Sequence, residues 1–448
     1  MSRNANALAD FRPTLVLDVA HDDQSVAVPP RDPAGRRYEA ALVVVRVHEQ
    51  PVGMAHLEVP DDGIDPASLR EAVQTQVDGA IEAHLRADRD VDGGVDTSAP
   101  PRCVADRQRL LADPPRISVV IPTRERPGLL RRCLDSLWAG SYPLDRIDVV
   151  IADNRPETTG TSALVDELST SHPVRYVRED ASGSASARNA GLAQVTTELV
   201  AFTDDDAVLD RHWLAALAAG YERTPEASCV TGLLLPLEID TPAQLWFERY
   251  GGFSRGFTPR VFDLAEHRPP DMPLYPYSAG VFGTGNNMSF RTAALLDLGG
   301  FDPALGNGTP ALGGVDSEVL LRTVLRGHTL RYEPTALVWH EHRREYADLR
   351  RQVHSYGTGL TAYLLKTLLD DPRRIPGFVR LVPRGVRFAL SPSSSKNAGK
   401  DEAYPRELTR LELLGMARGP VAYARSRRQY GPHRTHRGAT TGAREAAP

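Results

Sequence analysis

The stretch Glu198-Leu-Val-Ala-Phe-Thr-Asp-Asp-Asp206 constrains this chain more than any other, because a short apolar run stops abruptly at three consecutive carboxylates. Leu199, Val200, Ala201 and Phe202 form the near-continuous apolar segment expected of a central strand covered on both faces. Asp204, Asp205 and Asp206 then fall beyond the carboxyl end of that strand, where open α/β sheets bind ligands. Adjacent carboxylates repel one another, so the cluster requires a cation or free access to water. By itself, Asp-Asp-Asp reads more readily as a solvated acidic turn capping a helix that starts near Asp210. Only its companions elsewhere in the chain move the balance toward a metal site.

Those companions begin at Arg116. Ile117-Ser-Val-Val-Ile121 predicts a strand, followed by the loop Pro122-Thr-Arg-Glu-Arg126. Pro127 opens a helix, at a first-turn position where its missing N–H costs nothing. Leu129, Leu130, Cys133, Leu134, Leu137 and Trp138 give that helix an apolar face. Ile147-Asp-Val-Val-Ile-Ala-Asp153 predicts a second strand that also ends in an acid, Val174-Arg-Tyr-Val177 a third, and Gly183 to Leu192 a small-residue loop leading into a helix. This alternation predicts an α/β fold with a mostly parallel sheet and helices on both faces. No Gly-x-Gly-x-x-Gly follows the first strand and no Gly-x-x-x-x-Gly-Lys-Ser/Thr occurs, which argues against dinucleotide and P-loop sites. Phosphates would then need a divalent cation, and Mg²⁺ or Mn²⁺ favours one or two carboxylates plus phosphate oxygens.

Further along, Gly280 to Arg291 combines glycines that let the backbone approach a ligand with the polar pair Asn286 and Asn287, a tight turn being an equal reading. Leu312-Gly-Gly-Val-Asp-Ser-Glu318 runs into an amphipathic helix, with Asp316 as its candidate cap and Glu318 in the first turn. A strand from Thr329 to Trp339 delivers His340, and His342 follows two residues later. That spacing raises a metal hypothesis against the ordinary structural use of histidine.

A chain of 448 residues exceeds what a single core usually supports. Three parts are expected: 1–115, a β-rich module with a helix and a linker from Arg86; 116–345, the α/β domain; and 346–448, a C-terminal helical region with a basic tail. In the first part a turn is expected at Gln50–Gly53, and Leu69, Val73, Val77, Ile81 and Leu85 recur four apart as a helical stripe. In the last part a helix is expected over Leu349–Leu369, weakened by Gly357 and Gly359. The net charge of −5 gives no signature of nucleic-acid binding. Residues 371–448 nevertheless hold 16 Arg and Lys against 6 Asp and Glu. Phe378–Leu390 and Leu411–Tyr423 set Arg against Leu, Val or Phe, a pattern that suits a membrane interface and, more ordinarily, packing helices. Residues 1–10, Ser391–Ser395 and the chain from about Arg425 read as flexible. Cys103, Cys133 and Cys229 lack Cys-x-x-Cys spacing, which argues against a disulfide framework or zinc module. No signal sequence and no run of about 18 apolar residues are present, so a cytoplasmic protein is expected, with a peripheral position at the inner membrane face as the variant.

Taken together, the segments from Arg116 to Tyr346 resemble the bacterial inverting glycosyltransferases of family 2, with the GT-A fold. The resemblance rests on Val-Val-Ile-Pro-Thr-Arg-Glu-Arg126, Val-Val-Ile-Ala-Asp-Asn154, Ala187-Arg-Asn-Ala-Gly191, Phe-Thr-Asp-Asp-Asp206, Gly285-Asn-Asn-Met-Ser-Phe-Arg291, Gly314-Val-Asp-Ser-Glu318 and Trp339-His340, in family order. It implies that Pro122, Thr123, Arg124 and Glu125 line a nucleotide pocket, that Asp153 accepts from the base, and that Arg188 approaches the diphosphate. Asp204 and Asp206 match an Asp-x-Asp motif, Asp204 near ribose or metal and Asp206 the direct ligand. Asp205 takes the variable position and, with Asn286 and Asn287, joins the donor-binding set. His340 matches a further ligand of the Mn²⁺ or Mg²⁺ ion, and Asp316 the general base. Glu318 lies near enough to exchange roles with Asp316, because Gly-Val-Asp-Ser-Glu stands where many relatives place an acid directly before the Asp.

The implied reaction moves a sugar from a UDP- or dTDP-sugar to a hydroxyl acceptor, lipid-linked acceptors included, in polysaccharide or glycoconjugate synthesis. A metal held by carboxylates offsets charge on the leaving diphosphate, and a separate carboxylate takes the acceptor proton. A nucleotidyltransferase would want a basic Gly-rich loop after the first strand, which Thr123-Arg-Glu-Arg126 is not. A silent nucleotide-sugar scaffold would not need a separate base. Self-association is left open.

Overall fold

The computed structural model describes residues 11–89, 100–391 and 404–431, together with 394, 396, 397, 399, 400 and 433. Residues 1–10, most of the Ser391–Ser395 stretch, nearly all of the chain past 431 and residues 90–99 of the expected linker lie outside the described residues.

Strands β1 (Thr14–Ala20), β2 (Ala40–Val47) and β3 (Gln50–Glu58) form a sheet of their own, β1 parallel and β3 antiparallel to β2. Helix α1 (Pro66–Arg89) covers it through Leu69, Val73, Val77 and Ile81, four of the five residues of the expected stripe. The hairpin reverses at His48 and Glu49, with φ of 50° and 68°, earlier than the expected Gln50–Gly53 turn. The Pro and Gly that suggested a turn instead lie within β3. In the stretch read as a linker, Arg102–Ala112 forms helix α2 and buries Cys103 and Leu110.

The large sheet is built from β4 (Ile117–Thr123), β5 (Ile147–Asn154), β6 (Val174–Glu179), β7 (Leu199–Phe202), β8 (Ala207–Leu209), β9 (Ala227–Pro236), β10 (Arg260–Phe262), β11 (Met288–Arg291) and β12 (Thr329–His340). Its order is β10-β12-β9-β11-β7-β4-β5-β6, with β8 on β12. β4, β5, β6 and β7 run parallel, β9 runs parallel to β12, and β11 lies antiparallel between β7 and β9. The interleaved helices are α3 (Pro127–Trp138), α4 (Gly160–Leu168), α5 (Ser184–Leu192), α6 (Trp213–Arg223), α7 (Pro242–Tyr250), α8 (Thr292–Asp297) and α9 (Val315–Leu325). The expected α/β class, a mixed sheet flanked by helices, is the one observed.

Every residue of β7 is buried. Alternation splits its side chains between two apolar layers: Val200 and Phe202 join Val120 on one face, while Leu199 and Ala201 join Val119 and Ile121 on the other. A strand fixed on both faces and by β4 and β11 on both edges cannot slip register, so the position of Thr203–Asp206 is set by the core.

Three helices follow: α10 (Tyr346–Asp370), α11 (Ile375–Leu390) and α12 (Arg406–Tyr430), the last packed along α10. Gly357 and Gly359 lie inside α10, where neighbouring backbone leaves no room for a side chain. A Cβ on Gly357 would collide with the Glu412 carbonyl of α12, and one on Gly359 would lie 2.7 Å from the Gly313 carbonyl carbon. The chain expected to be flexible from Arg425 remains helical to Tyr430. No described helix is long and apolar enough to cross a membrane.

Candidate active site

The carboxyl ends of β4, β5 and β7, the turn before β11, the start of α9 and the end of β12 open onto one cleft of about 1340 Å³. Pro122, Thr123, Arg124, Arg188, Asn286 and Asp316 line it together with the three aspartates and His340.

Each aspartate has a different partner. Asp204 Oδ1 accepts from Arg188 Nη2 at 2.8 Å. Asp205 Oδ2 accepts from Thr123 Oγ1 at 2.7 Å, which ties the β4 loop to the β7 loop. Burial pushes the Asp205 carboxyl up to about 6, with Asp206 adding to the effect. Asp206 is as deeply buried, yet its carboxyl falls below the ordinary range because His340, Arg343 and Arg126 outweigh the desolvation. Arg126 Nη1 lies 3.3 Å from Asp205 Oδ1 and 3.5 Å from Asp206 Oδ2, and Arg343 Nη2 lies 3.8 Å from Asp206 Oδ2.

Asp206 Oδ1 is buried without a hydrogen-bond partner, and His340 Nε2 faces it at 3.4 Å. The tautomer of that ring follows from its neighbours. The Glu248 carboxylate accepts from His342 Nε2 at 2.7 Å, so in the neutral ring His342 Nδ1 is an acceptor. Burial lowers the basicity of His342, in keeping with a neutral ring. His340 Nδ1, 3.0 Å away, is then the donor, which leaves Nε2 as the ring atom that faces Asp206. A cation between them, or a proton on Nε2, satisfies the orphaned Asp206 oxygen. The expected metal trio is thus brought together only in part: Asp206 and His340 meet, while Asp204 turns to Arg188.

Asp316 does not cap α9. Gly314, at φ 82°, precedes the helix, and Asp316 Oδ2 accepts from the Gly285 N–H at 3.1 Å, with the carboxylate on the cleft wall. Gly285 is needed there, since a Cβ would lie 2.9 Å from the Asp316 Cβ. Glu318, two residues on, is outside the cleft. Its carboxylate is 2 % exposed and paired at 2.8 Å with both Arg322 Nη2 and Lys366 Nζ. Burial would raise its pKa, but the two cations hold it at about 2. That environment takes Glu318 out of the expected exchange of roles with Asp316.

Two further expectations are corrected. Glu125, at φ 54°, does not line the cleft; its carboxylate accepts from the Glu157 N–H at 2.7 Å, the Thr158 N–H at 3.0 Å and Thr158 Oγ1 at 2.6 Å, bracing the turn after β5. Asn287 is a structural residue. Its Nδ2 donates to the Leu233 and Ala336 carbonyls at 2.8 and 2.7 Å, and its Oδ1 accepts from Trp213 Nε1 at 2.9 Å, across a register irregularity between β9 and β12. Asp153 sits behind the cleft wall: Tyr176 Oη donates to Oδ2 at 3.1 Å, Oδ1 is buried without a partner, and burial raises its pKa. Sequence reasoning passed over Arg126 and Arg343 as site residues. Arg126 stood in the same loop as Thr123, whereas Arg343 is one of two adjacent arginines with nothing local to single it out.

The mixed sheet thus gathers acids, arginines and a histidine at one carboxyl edge, with a separate aspartate across the cleft. Residues 118–255 match the model of Glycosyl transferase family 2, and residues 199–399 that of Glycosyl transferase family group 2. The family 2 matches fall on the large sheet and the helices around the cleft. It is 29% identical over 249 residues to the pre-mycofactocin glycosyltransferase of Mycobacterium tuberculosis, a match covering 54% of this chain and 46% of that one. It is 23% identical over 272 residues to the probable glycosyltransferase YdaM of Bacillus subtilis, covering 57% of each. The chain spans about half the length of these relatives. Among solved structures, it aligns to the mannosyltransferase PcManGT from Pyrobaculum calidifontis, in complex with GDP-Man and Mn²⁺, with a TM-score of 0.44 and 20% identity over 74% of this chain and 89% of that one.

Proposed function

We propose that the cleft transfers a sugar from a nucleoside-diphosphate sugar of the UDP or dTDP type to a hydroxyl acceptor, with inversion at the anomeric carbon. The observation that carries this reading is the separation of roles among the carboxylates on the cleft wall. Asp206 is committed to the His340 side, whereas Asp316 holds only a backbone N–H and otherwise faces the cleft.

Asp206 and His340 would hold Mn²⁺ or Mg²⁺ through the orphaned Asp206 Oδ1 and, once free of its proton, His340 Nε2. When bound, the ion supplies Lewis-acid stabilisation of charge on the departing diphosphate. Arg188, held at 2.8 Å by Asp204, and Arg126 add fixed positive charge on the same side. Thr123 and Arg124 border the nucleotide. Asp316 accepts the acceptor's hydroxyl proton as that oxygen bonds to the anomeric carbon and the bond to the diphosphate oxygen breaks. One displacement inverts the centre.

The acceptor side is read as lipid-linked and at a membrane surface. Support comes from α11, which buries no residue, exposes Ile375, Val379, Val382, Val386 and Leu390 along one stripe, and carries Arg380, Arg384 and Arg387 without an acid. Asp316→Asn tests the core of the proposal: transfer is abolished, while Mn²⁺-dependent nucleotide binding by calorimetry stays near that of the parent. Equal loss of both would remove Asp316 from the base role. A thermal-shift panel of nucleoside-diphosphate sugars with and without Mn²⁺ identifies the donor.

A further inference from the structure

We infer that the N-terminal module carries a structural zinc site, apart from the cleft, formed by His48, His84, Asp88 and Cys103. These side chains come from three segments: the β2–β3 turn, the last turns of α1 and the first turn of α2. One ligand atom from each lies within 4.8 Å of all the others, the single such group among the described residues. Cys103 Sγ is 3.5 Å from His48 Nδ1, 3.5 Å from His84 Nε2 and 3.0 Å from Asp88 Oδ2. The same Oδ2 is 2.8 Å from His48 Nδ1 and 3.3 Å from His84 Nε2. A zinc tetrahedron with bonds of about 2.0–2.3 Å has edges of roughly 3.3–3.6 Å. Five of the six edges therefore lie within about half an ångström of those values, the short ones all at Asp88. The sixth, between the two imidazoles, is within 4.8 Å.

Hydrogen bonding alone accounts for the cluster poorly. Three potential donors crowd the single oxygen Asp88 Oδ2, which has two lone pairs, while Oδ1 takes the Cys103 backbone N–H at 3.0 Å. A cation among the four groups turns three competing donors into ligands. The delivery of His48 is also built in: His48 and Glu49 both occupy the left-handed region, at φ 50° and 68°, where the turn would otherwise favour Asn-Gly. The side chains of Asp88 and Cys103 are 9% exposed, and those of His84 and His48 16% and 23%.

The donor set selects the metal. Two imidazoles, a thiolate and one carboxylate suit Zn²⁺, whereas Mg²⁺ and Mn²⁺ favour oxygen. All four positions come from the protein, which leaves no open vertex and makes the site structural. Its effect reaches the α/β domain, because Glu49, beside His48, contacts His212 Nε2 at 3.1 Å, and Arg46 joins Asp18 to Asp210, just past the β8 strand that follows Asp206.

The test uses the full chain, stripped with a chelator and reloaded with Zn²⁺ or Co²⁺. The expected result is one tightly held zinc per chain by elemental analysis, and a cobalt form showing a thiolate-to-metal charge-transfer band with tetrahedral ligand-field absorption. Cys103→Ser abolishes that band and weakens zinc binding beyond the about 100-fold typical of an outer partner's loss. His84→Gln weakens it comparably, and Asp206→Asn leaves zinc content unchanged. Failure of the parent to hold stoichiometric zinc, a cobalt spectrum without the thiolate band, or unaltered zinc in both ligand variants would overturn the proposal. If Cys103→Ser does not fold by circular dichroism, the parent's cobalt spectrum and His84→Gln decide it.

Discussion

Replacing Glu318 with glutamine separates the two acids at the start of α9 by experiment. Glu318 pairs at 2.8 Å with Arg322 and Lys366, and both cations are buried with it. A carboxyl held at about 2 against an ordinary 4.5 corresponds to about 3 kcal/mol of stability. Geometry leads to the same figure. Removing one partner of a buried ion pair costs about 3–5 kcal/mol, and the lower end applies here because Lys366 keeps Asp370 and Arg322 keeps the Leu298 and Gly300 carbonyls. At about 2–4 °C per kcal/mol for a large domain, the Tm falls by roughly 6–12 °C. Since the folded pKa is depressed, the contribution is complete above about pH 4.5 and fades as pH falls toward 2. Melting curves of parent and variant should therefore diverge at neutral pH and converge in acid. Below its melting range, Glu318→Gln keeps transferase activity. A variant that melts with the parent yet loses transfer would return Glu318 to the catalytic role and refute this account.

Glu248→Ala releases the carboxylate that orients His342, so Mn²⁺-dependent nucleotide binding weakens about 10–100-fold in titration calorimetry; unchanged binding counts against the relay through His340. Asn287→Ala leaves the Trp213 N–H and two carbonyls without partners and destabilises by about 3 kcal/mol in urea unfolding, while nucleotide affinity of the folded fraction is kept. Val379→Asp combined with Val386→Asp, on exposed positions of α11, shifts stability by less than about 0.5 kcal/mol and reduces co-sedimentation with anionic vesicles; a parent chain that ignores such vesicles removes the membrane reading.

The sheet was legible because its strands are apolar runs with turn signals between them, and the α1 stripe because four-residue spacing survives into packing. What escaped was anything that depends on contact between distant segments. Gly53 and Pro51 suggested a turn, but the reversal falls on His48 and Glu49, which no propensity favours. Gly357 and Gly359 read as weakness, yet they mark where α12 and the Gly313 loop approach α10. Asn286 and Asn287 are equivalent in sequence, and only the neighbourhood of Trp213 consigns the second to the core. Cysteine spacing considers ligands close in sequence, so it carries no trace of the cluster in which folding alone joins His48 to Cys103.

Three adjacent carboxylates posed the first problem, and the fold meets it by giving each a different neighbour. Arg188 faces Asp204, Thr123 and a raised pKa relieve Asp205, and His340 with two arginines surrounds Asp206. With those partners assigned, mutual repulsion no longer argues for a metal, because protein groups already offset it. The argument passes to what is left over. Among the three, Asp206 alone keeps a buried oxygen without a hydrogen bond, and the ring opposite it is oriented by a chain running through His342 to Glu248. A cation proposed at that point is supported by an unmet valence rather than by an excess of charge, and the prediction for Glu248 follows from that distinction.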